Sequence, residues 1–390
     1  MRYDLLIPRQ VVFGWGRRKE IGQRAAALGR RAWVVSGSRT LVANGIMDQL
    51  RSQMQAHGVT SEFLGTISRE PEVADVDQMI RLLESRGGVR TGDLVVAIGG
   101  GAGIDLGKAL AALAPNAEGR SVQDYLEGVG TGQKLVNDPL PMVAIPTTAG
   151  TGSEATKNAV ISSREQKFKK SLRDDRMIPA VALIDPELMV SCPVAVTAWS
   201  GMDAITQLIE SLVTPRSTVI TRALSMEGLR TAIPWIQTAV RQPDSRPARE
   251  ALAHAAFLSG VTLANAGLGF AHGVAAALGV LCDVPHGLAC AMLLPVALRV
   301  NQACCEPQLA DLAGIFATRA WSTPAAAAQF TIESVTALGR ELGVPAQLRE
   351  LGVRREQLSA LVPASRGNSM SGNPRVLSDT ELLEILEECW

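Results

Sequence analysis

Four short apolar runs in the first half of this chain constrain its fold more than any other feature. They are Ala32-Trp33-Val34-Val35, Leu94-Val95-Val96-Ala97-Ile98, Pro141-Met142-Val143-Ala144-Ile145 and Ala180-Val181-Ala182-Leu183-Ile184. A run that is apolar at every position belongs to a strand covered on both faces, the condition of a parallel or mixed sheet. Between the runs lie helical patterns, such as Val76 to Leu83 and Leu106 to Leu113, which supply the crossovers. After Pro186 the pattern changes. Met202, Ile205, Leu208, Ile209 and Leu212 recur at helical spacing, and similar stretches continue almost to Cys389. The sequence therefore predicts an α/β domain of nucleotide-binding type over residues 1–186 and an all-helical domain over 187–390. A small-molecule site is expected in the cleft between them.

A chain of 390 residues is long for one hydrophobic core and sufficient for two. Lys+Arg and Asp+Glu both count 38, without a long run of like charge, so neither nucleic acid nor an acidic membrane surface is expected as a partner. The six cysteines, Cys192, Cys282, Cys290, Cys304, Cys305 and Cys389, show no C-x-x-C spacing. They read as reduced, mostly buried thiols of a cytoplasmic protein. Met1-Arg2-Tyr3-Asp4 leads into an apolar run with Pro8, and no signal peptide is read there. Ala255 to Leu281 is apolar but rich in Ala and Gly and interrupted by Asn265 and His272, which predicts a buried core helix, not a membrane span.

Two loops point to a bound phosphate. The Leu94–Ile98 run passes directly into Gly99-Gly100-Gly101-Ala102-Gly103-Ile104-Asp105, with a helix expected from about Leu106. Glycines allow close backbone approach to a phosphate, and the following helix start offers amide donors and a positive dipole. The strict G-x-G-x-x-G fingerprint fails, because Ile104 stands at its third glycine. Pro141–Ile145 is followed by Pro146-Thr147-Thr148-Ala149-Gly150-Thr151-Gly152-Ser153-Glu154, where hydroxyls and glycines concentrate donors and Thr151 with Glu154 has the spacing of a helix capping box. One such loop is as readily structural as functional. Two at the ends of strands favour a phosphate-bearing ligand. The run ending at Val35 continues as Ser36-Gly37-Ser38-Arg39, with small hydroxyls and an arginine where an acidic residue would bind a free ribose. That favours NADP(H) over NAD(H).

In the second half, Asp203 and Gln207 in Gly201-Met202-Asp203-Ala204-Ile205-Thr206-Gln207 fall on one helix face. His272, in a stretch of small residues, and His286, between Pro285 and Gly287, come from other elements. Singly, each histidine reads as well as a core or turn residue. Together with Asp203 they have the makings of a metal cage.

Gly99-Gly100-Gly101 with Asp105 and Lys108, the Pro146 to Glu154 loop, Gly201-Met202-Asp203-Ala204 and Pro285-His286-Gly287 occur here in one order that resembles the iron-containing (group III) alcohol dehydrogenases. The likeness runs from Phe13-Gly14 to Asn373-Pro374-Arg375. It implies a dinucleotide-binding domain followed by a helical one, a divalent metal (Fe2+ or Zn2+), and hydride transfer between a nicotinamide and a small aldehyde, keto acid or alcohol. It implies a homo-oligomer, plausibly a dimer. The family's metal ligands, an aspartate, a histidine four residues on and two further histidines, fall on Asp203, Gln207, His272 and His286. Catalytic roles fall on Asp203, His272 and His286. Cofactor contacts fall on Ser38, Gly99, Gly100, Gly101, Asp105, Thr147, Thr148, Thr151, Ser153 and Lys169. A further family histidine, one turn after the third ligand, is replaced by Ala276. With Gln207 offering only a neutral amide oxygen, the cage is expected to bind metal more weakly than a three-histidine version and to prefer zinc or manganese over iron. Two other functions remain open: a metal-independent reductase resembling the maleylacetate reductases, and a dinucleotide-binding protein without catalysis.

Overall fold

The computed structural model describes residues 2–390, so Met1 lies outside the described residues. These residues form eight strands: β1 (Gln10–Phe13), β2 (Arg31–Ser36), β3 (Thr60–Thr66), β4 (Asp93–Gly99), β5 (Met142–Pro146), β6 (Asn158–Ser163), β7 (Phe168–Arg173) and β8 (Val181–Ile184). Five helices accompany them: α1 (Ile21–Ala26), α2 (Arg39–Ala43), α3 (Ile46–Ala56), α4 (Val73–Ser85) and α5 (Gly101–Leu113). Eight more follow: α6 (Val194–Val213), α7 (Val219–Arg241), α8 (Arg246–Ala266), α9 (Phe270–Cys282), α10 (His286–Phe316), α11 (Pro324–Glu341), α12 (Leu358–Ala364) and α13 (Asp379–Glu388). The expected order, a parallel α/β domain and then an all-helical one, is what the chain adopts.

The chain packs as two compact units. One comprises Leu6–Thr148 and Gly152–Ser191; the other takes in the chain up to Leu5, Ala149–Thr151 and Cys192–Trp390. In the first unit six strands lie in the order β1-β8-β5-β4-β2-β3, and every pairing is parallel. All seven residues of β4 and all five of β5 are buried, which explains their unbroken apolar runs. The chain turns from β2 to β3 on one side, whereas β4 lies on the other. The carboxyl ends of β2 and β4 are therefore a topological switch point, the usual ligand crevice of such sheets.

Several local expectations are corrected. The helix after the first glycine loop starts at Gly101, not near Leu106, so Gly101 and Gly103 belong to its first turn. Thr151 and Glu154 form no helix capping box. The segment is a three-residue 3-10 turn, Ser153–Ala155, entered through Gly152 in the left-handed region (φ 59°). It leads into an antiparallel hairpin, β6–β7, that no apolar run announced. The apolar stretch from Ala255 to Leu281 is not one helix either. α8 and α9 meet at a 100° bend. The break falls at Gly267-Leu268-Gly269, where Gly267 takes a positive φ of 83° that a side chain disfavours.

α10 is long and apolar enough to cross a membrane by length and composition, yet most of its most apolar 18-residue stretch is buried within the helical unit. Ala289, Cys290, Leu293, Val296 and Ala297 join Phe270, Val274 and Leu278 of α9 in one core. α10 is kinked at Cys305 (φ −137°), two residues before Pro307.

Candidate active site

At the switch point three glycines bring two loops into backbone contact. A Cβ on Gly103 would stand 2.6 Å from the Gly37 Cα, and one on Gly37 would stand 3.0 Å from the Cα atoms of both Gly99 and Gly103. Glycine is required here for close packing of β2–α2 against β4–α5. The first amides of α5 have no carbonyl one turn back and point out of the helix start. Thr148 of the second loop comes close to Gly100, whose Cβ would meet the threonine hydroxyl at 3.1 Å, and the Thr147 amide donates to Gly99 O at 2.9 Å. Ser38 caps α2 by accepting from the Leu41 amide (3.4 Å), while Arg39 next to it is exposed. Gly99, Gly100, Gly101, Ser38, Thr147 and Thr148 thus share the carboxyl ends of β2, β4 and β5.

Asp105 and Ser153 lie deeper. The Asp105 carboxylate accepts from Ser153 Oγ (3.0 Å) and the Val160 amide (3.1 Å), and pairs with Lys108 Nζ at 2.9 Å. Lys108 is fully buried and also donates to Thr156 Oγ1 (2.8 Å) and to Asn158 O. This clasp ties α5 to the second loop and to β6. Burial, against the attraction of Asp105, holds the Lys108 amine below its ordinary pKa. Burial likewise pushes the neighbouring Glu154 carboxyl up to about 7. Lys169 is on the separate hairpin, at β7, where it pairs with Glu70. Thr151 belongs to the helical unit; beside it, Gly150 packs on Ser200 of α6, and its carbonyl lies 3.3 Å from Ser259 Oγ.

The helical unit gathers the predicted ligands. α6 carries Asp203, Gln207 and Glu210 along one buried face. His272 lies in the first turn of α9 and is held from both sides, with Nε2 3.1 Å from Asp203 Oδ1 and Nδ1 2.7 Å from Glu210 Oε2. His286 opens α10 after Pro285, and Gly287 lets that helix start lie against α6: a Cβ there would be 2.7 Å from Trp199 O. His286 Nε2 stands 3.9 Å from Asp203 Oδ1, and the two imidazoles meet edge to face at 5.5 Å. Gln207 is on the same face of α6, but its amide oxygen accepts from Ser259 Oγ of α8 at 2.7 Å. Ala276 lies one turn beyond His272 on α9.

Two residues of this site were missed by sequence reasoning. Glu210 not only holds His272 but accepts from the amides of Gly269 (3.0 Å) and Ala271 (2.6 Å), neutralising the start of α9. Asn373 completes that cap by accepting from the Phe270 amide at 3.1 Å. Cys290, four residues after His286 on α10, places its sulfur 3.7 Å from His286 Nε2. One ligand atom from each of Asp203, His272, His286 and Cys290 falls within 4.8 Å of the others. The signal for both was helical spacing: Glu210 is seven residues after Asp203, and Cys290 four after His286. Two absent histidines therefore do not leave this group short of donors.

The electrostatics are those of a compact buried ion cluster. Burial works to raise the Asp203 carboxyl, but its hydrogen bond from His272 and the nearby His286 override this and hold it below the usual carboxylate range. Burial opposes charge on His272, but Cys290, Asp203 and Glu210 outweigh it and raise that imidazole well above its ordinary value. Burial also pushes the Cys290 thiol up to about 12. A carboxylate, two imidazoles and a sulfur within this distance fit a divalent cation, which would replace the proton bridging His272 and Asp203.

A parallel sheet with glycine loops at its switch point, followed by helices that collect metal-ligating side chains, defines a class of two-unit oxidoreductases. Residues 8–186 match the iron-containing alcohol dehydrogenase family, and residues 197–390 match the C-terminal region of the same family. The lactaldehyde reductase of Escherichia coli (strain K12) is 31% identical over 381 residues, covering 96% of this chain and 97% of the relative. An NAD-dependent methanol dehydrogenase of Bacillus methanolicus is 29% identical, with 98% and 99% covered. The crystal structure of a 1,3-propanediol oxidoreductase superposes with a TM-score of 0.91 over 100% of both chains at 29% identity. The chain belongs to the iron-containing alcohol dehydrogenase family and is an oxidoreductase of that family.

Proposed function

We propose that this protein is a nicotinamide-dependent alcohol dehydrogenase that acts chiefly as a reductase of small aldehydes or keto acids, with a divalent metal held by Asp203, His272 and His286. The observation that carries this reading is the buried carboxylate–imidazole–imidazole–thiol group on α6, α9 and α10. A bound metal supplies Lewis-acid polarisation of a carbonyl oxygen. Glu210 orients His272 and Asp203 receives it, so the imidazole is fixed before substrate arrives. Gln207, anchored by Ser259, forms a wall of the site.

The α5 start with Gly99, Gly100 and Gly101, together with Thr147, Thr148 and Thr151, is the proposed pyrophosphate cradle. Ser38 stands at the adenine-ribose end and Lys169 toward the ribose. Asp105 and Ser153 serve by holding the loops in place. A bound dihydronicotinamide would supply a hydride to the carbonyl carbon, with water as the source of the proton on the alcohol oxygen. Ala276 leaves room for a more polar or bulkier substrate than ethanol. Six free cysteines suit a reducing, cytoplasmic setting. We take the exposed Ile7 and Val11 at the edge strand β1 as the seam of a homo-oligomer.

The test is NADH and NADPH oxidation with a panel of aldehydes and keto acids, on metal-stripped and metal-loaded protein. Metal-dependent turnover is expected. Equal turnover without metal supports the maleylacetate-reductase-like alternative, and cofactor binding without any turnover supports the non-catalytic one. The expected preference for NADP(H) rests on Ser36-Gly37-Ser38-Arg39 alone, and the NAD-dependent relative lends it no support. If Arg39 reads the 2′-phosphate, Arg39→Ala raises the KM for NADPH about tenfold and leaves that for NADH unchanged. An unchanged NADPH KM assigns the enzyme to NAD(H).

A further inference from the structure

We propose that Cys290 is a ligand of this metal, taking the corner that Gln207 does not fill, and that the site is thereby built for zinc and not for iron. The inference rests on the metal-assisted reading above and deepens it by naming the donor set and the metal.

Gln207 stands where the resemblance calls for an imidazole, yet its oxygen is occupied. Ser259 Oγ donates to it across 2.7 Å, and both residues are buried. That contact directs the Gln207 amide toward α8. Cys290 lies one helical turn beyond His286, so both side chains leave α10 on one face. Its sulfur is 3.7 Å from His286 Nε2, and it lies within 4.8 Å of ligand atoms on Asp203 and His272.

The His272–Asp203 pair is at hydrogen-bond distance, and the Cys290–His286 and His286–Asp203 spacings approach those of a coordination shell. Donors bound at about 2.0–2.3 Å around one tetrahedral centre stand roughly 3.3–3.8 Å apart. The separations here are 3.1 Å for His272 to Asp203, 3.7 Å for Cys290 to His286 and 3.9 Å for His286 to Asp203. A buried cysteine is ordinarily a small hydrophobe. Cys290 packs into the same apolar core as Ala289, Met292 and Leu293, but its sulfur also lies among the ligand atoms of Asp203, His272 and His286.

Chemistry then selects the ion. Thiolate with imidazole and a single carboxylate is a zinc set, and a soft sulfur disfavours iron(II), magnesium and manganese relative to a shell of imidazole and oxygen alone. Entry of the cation displaces the thiol proton of Cys290 and the proton that His272 shares with Asp203, both released to solvent. A catalytic zinc can expand to five-coordinate, which would leave a place for the carbonyl oxygen beside these four donors.

The experiment loads the metal-stripped full-length protein with Co2+ and records its near-ultraviolet and visible spectrum. A sulfur-to-cobalt charge-transfer band is expected beside the ligand-field bands. It should persist in Gln207→Ala and vanish in Cys290→Ser, which should still bind Co2+ and should show zinc affinity at least tenfold lower. The wild-type spectrum by itself tests sulfur ligation, whatever the folding of either variant. Ligand-field bands without the charge-transfer band, or a band that survives Cys290→Ser, overturn cysteine ligation and leave the metal-assisted reading standing. No cobalt spectrum at all, with carbonyl reduction intact, overturns both.

Discussion

Glu210 is the residue whose alteration tests the construction of the site most directly. It accepts three hydrogen bonds: from the Gly269 amide at 3.0 Å, the Ala271 amide at 2.6 Å and His272 Nδ1 at 2.7 Å. While Nδ1 carries a proton toward a carboxylate, Nε2 can present its lone pair to a cation beside Asp203. Glu210→Gln preserves size and keeps Oε1 for the Ala271 amide, but an NH2 group in place of Oε2 faces both Nδ1 and the Gly269 amide. The imidazole must then accept at Nδ1 and carry its proton on Nε2, aimed into the metal site. A carboxylate that holds a ligating imidazole in this way is worth about 10–100-fold in metal affinity, or roughly 1.4–2.8 kcal/mol. Zinc affinity measured by chelator competition should fall by that factor, while the far-ultraviolet circular dichroism stays native because the capping bonds of the Phe270 and Ala271 amides remain. Wild-type affinity in Glu210→Gln would refute the proposed role of the Nδ1 contact. Glu210→Ala should do worse on both counts, since it also uncaps α9.

Three further outcomes follow from the α/β unit. Glu154, with a carboxyl raised from its ordinary 4.5 to about 7 by burial, is neutral in the folded chain over a range where the unfolded chain ionises. Its contribution is therefore fully present below pH 4.5 and lost as pH rises through about 7, a change of about 3 kcal/mol; Glu154→Gln should raise Tm at pH 8 and leave it nearly unchanged at pH 4.5, and an equal shift at both would refute the assignment. Asp105→Ala strips the buried Lys108 of its ion pair and should destabilise the protein by about 3–5 kcal/mol in urea unfolding; adding Lys108→Met should recover much of the loss, and strict additivity would contradict the clasp. Gly103→Ala forces a methyl to within 2.6 Å of the Gly37 Cα, so the Kd for NADH measured by fluorescence titration should rise on the order of tenfold.

Much of the architecture is visible in single residues. β2, β4, β5 and β8 are legible because the central positions of strands buried on both faces are apolar, with polar residues such as Arg31, Ser36 and Asp93 only at their ends. β3, Thr60–Thr66, is an edge strand with most side chains partly exposed, and the β6–β7 hairpin buries only part of its residues, so neither produces an apolar run. The bend between α8 and α9 follows from Gly267 and Gly269, but glycine within a helical pattern signals a break only once its backbone conformation is known.

The sequence by itself determined the class of fold, the two glycine loops at strand ends, and the aspartate and two histidines of the cage, because these depend on periodicity and on local order along the chain. Its cysteines, taken only as reduced thiols, carried no role, and Glu210 drew no notice. Tertiary structure decided both. Bringing α6, α9 and α10 together set Cys290 beside His286 and made Glu210 at once the cap of one helix and the holder of His272. It also committed Gln207 to Ser259, fifty-two positions away, a partner that no local pattern specifies. The physical reason is range: burial and helical spacing act within a few residues, whereas a coordination shell is closed by side chains from separate helices, whose approach is set by packing.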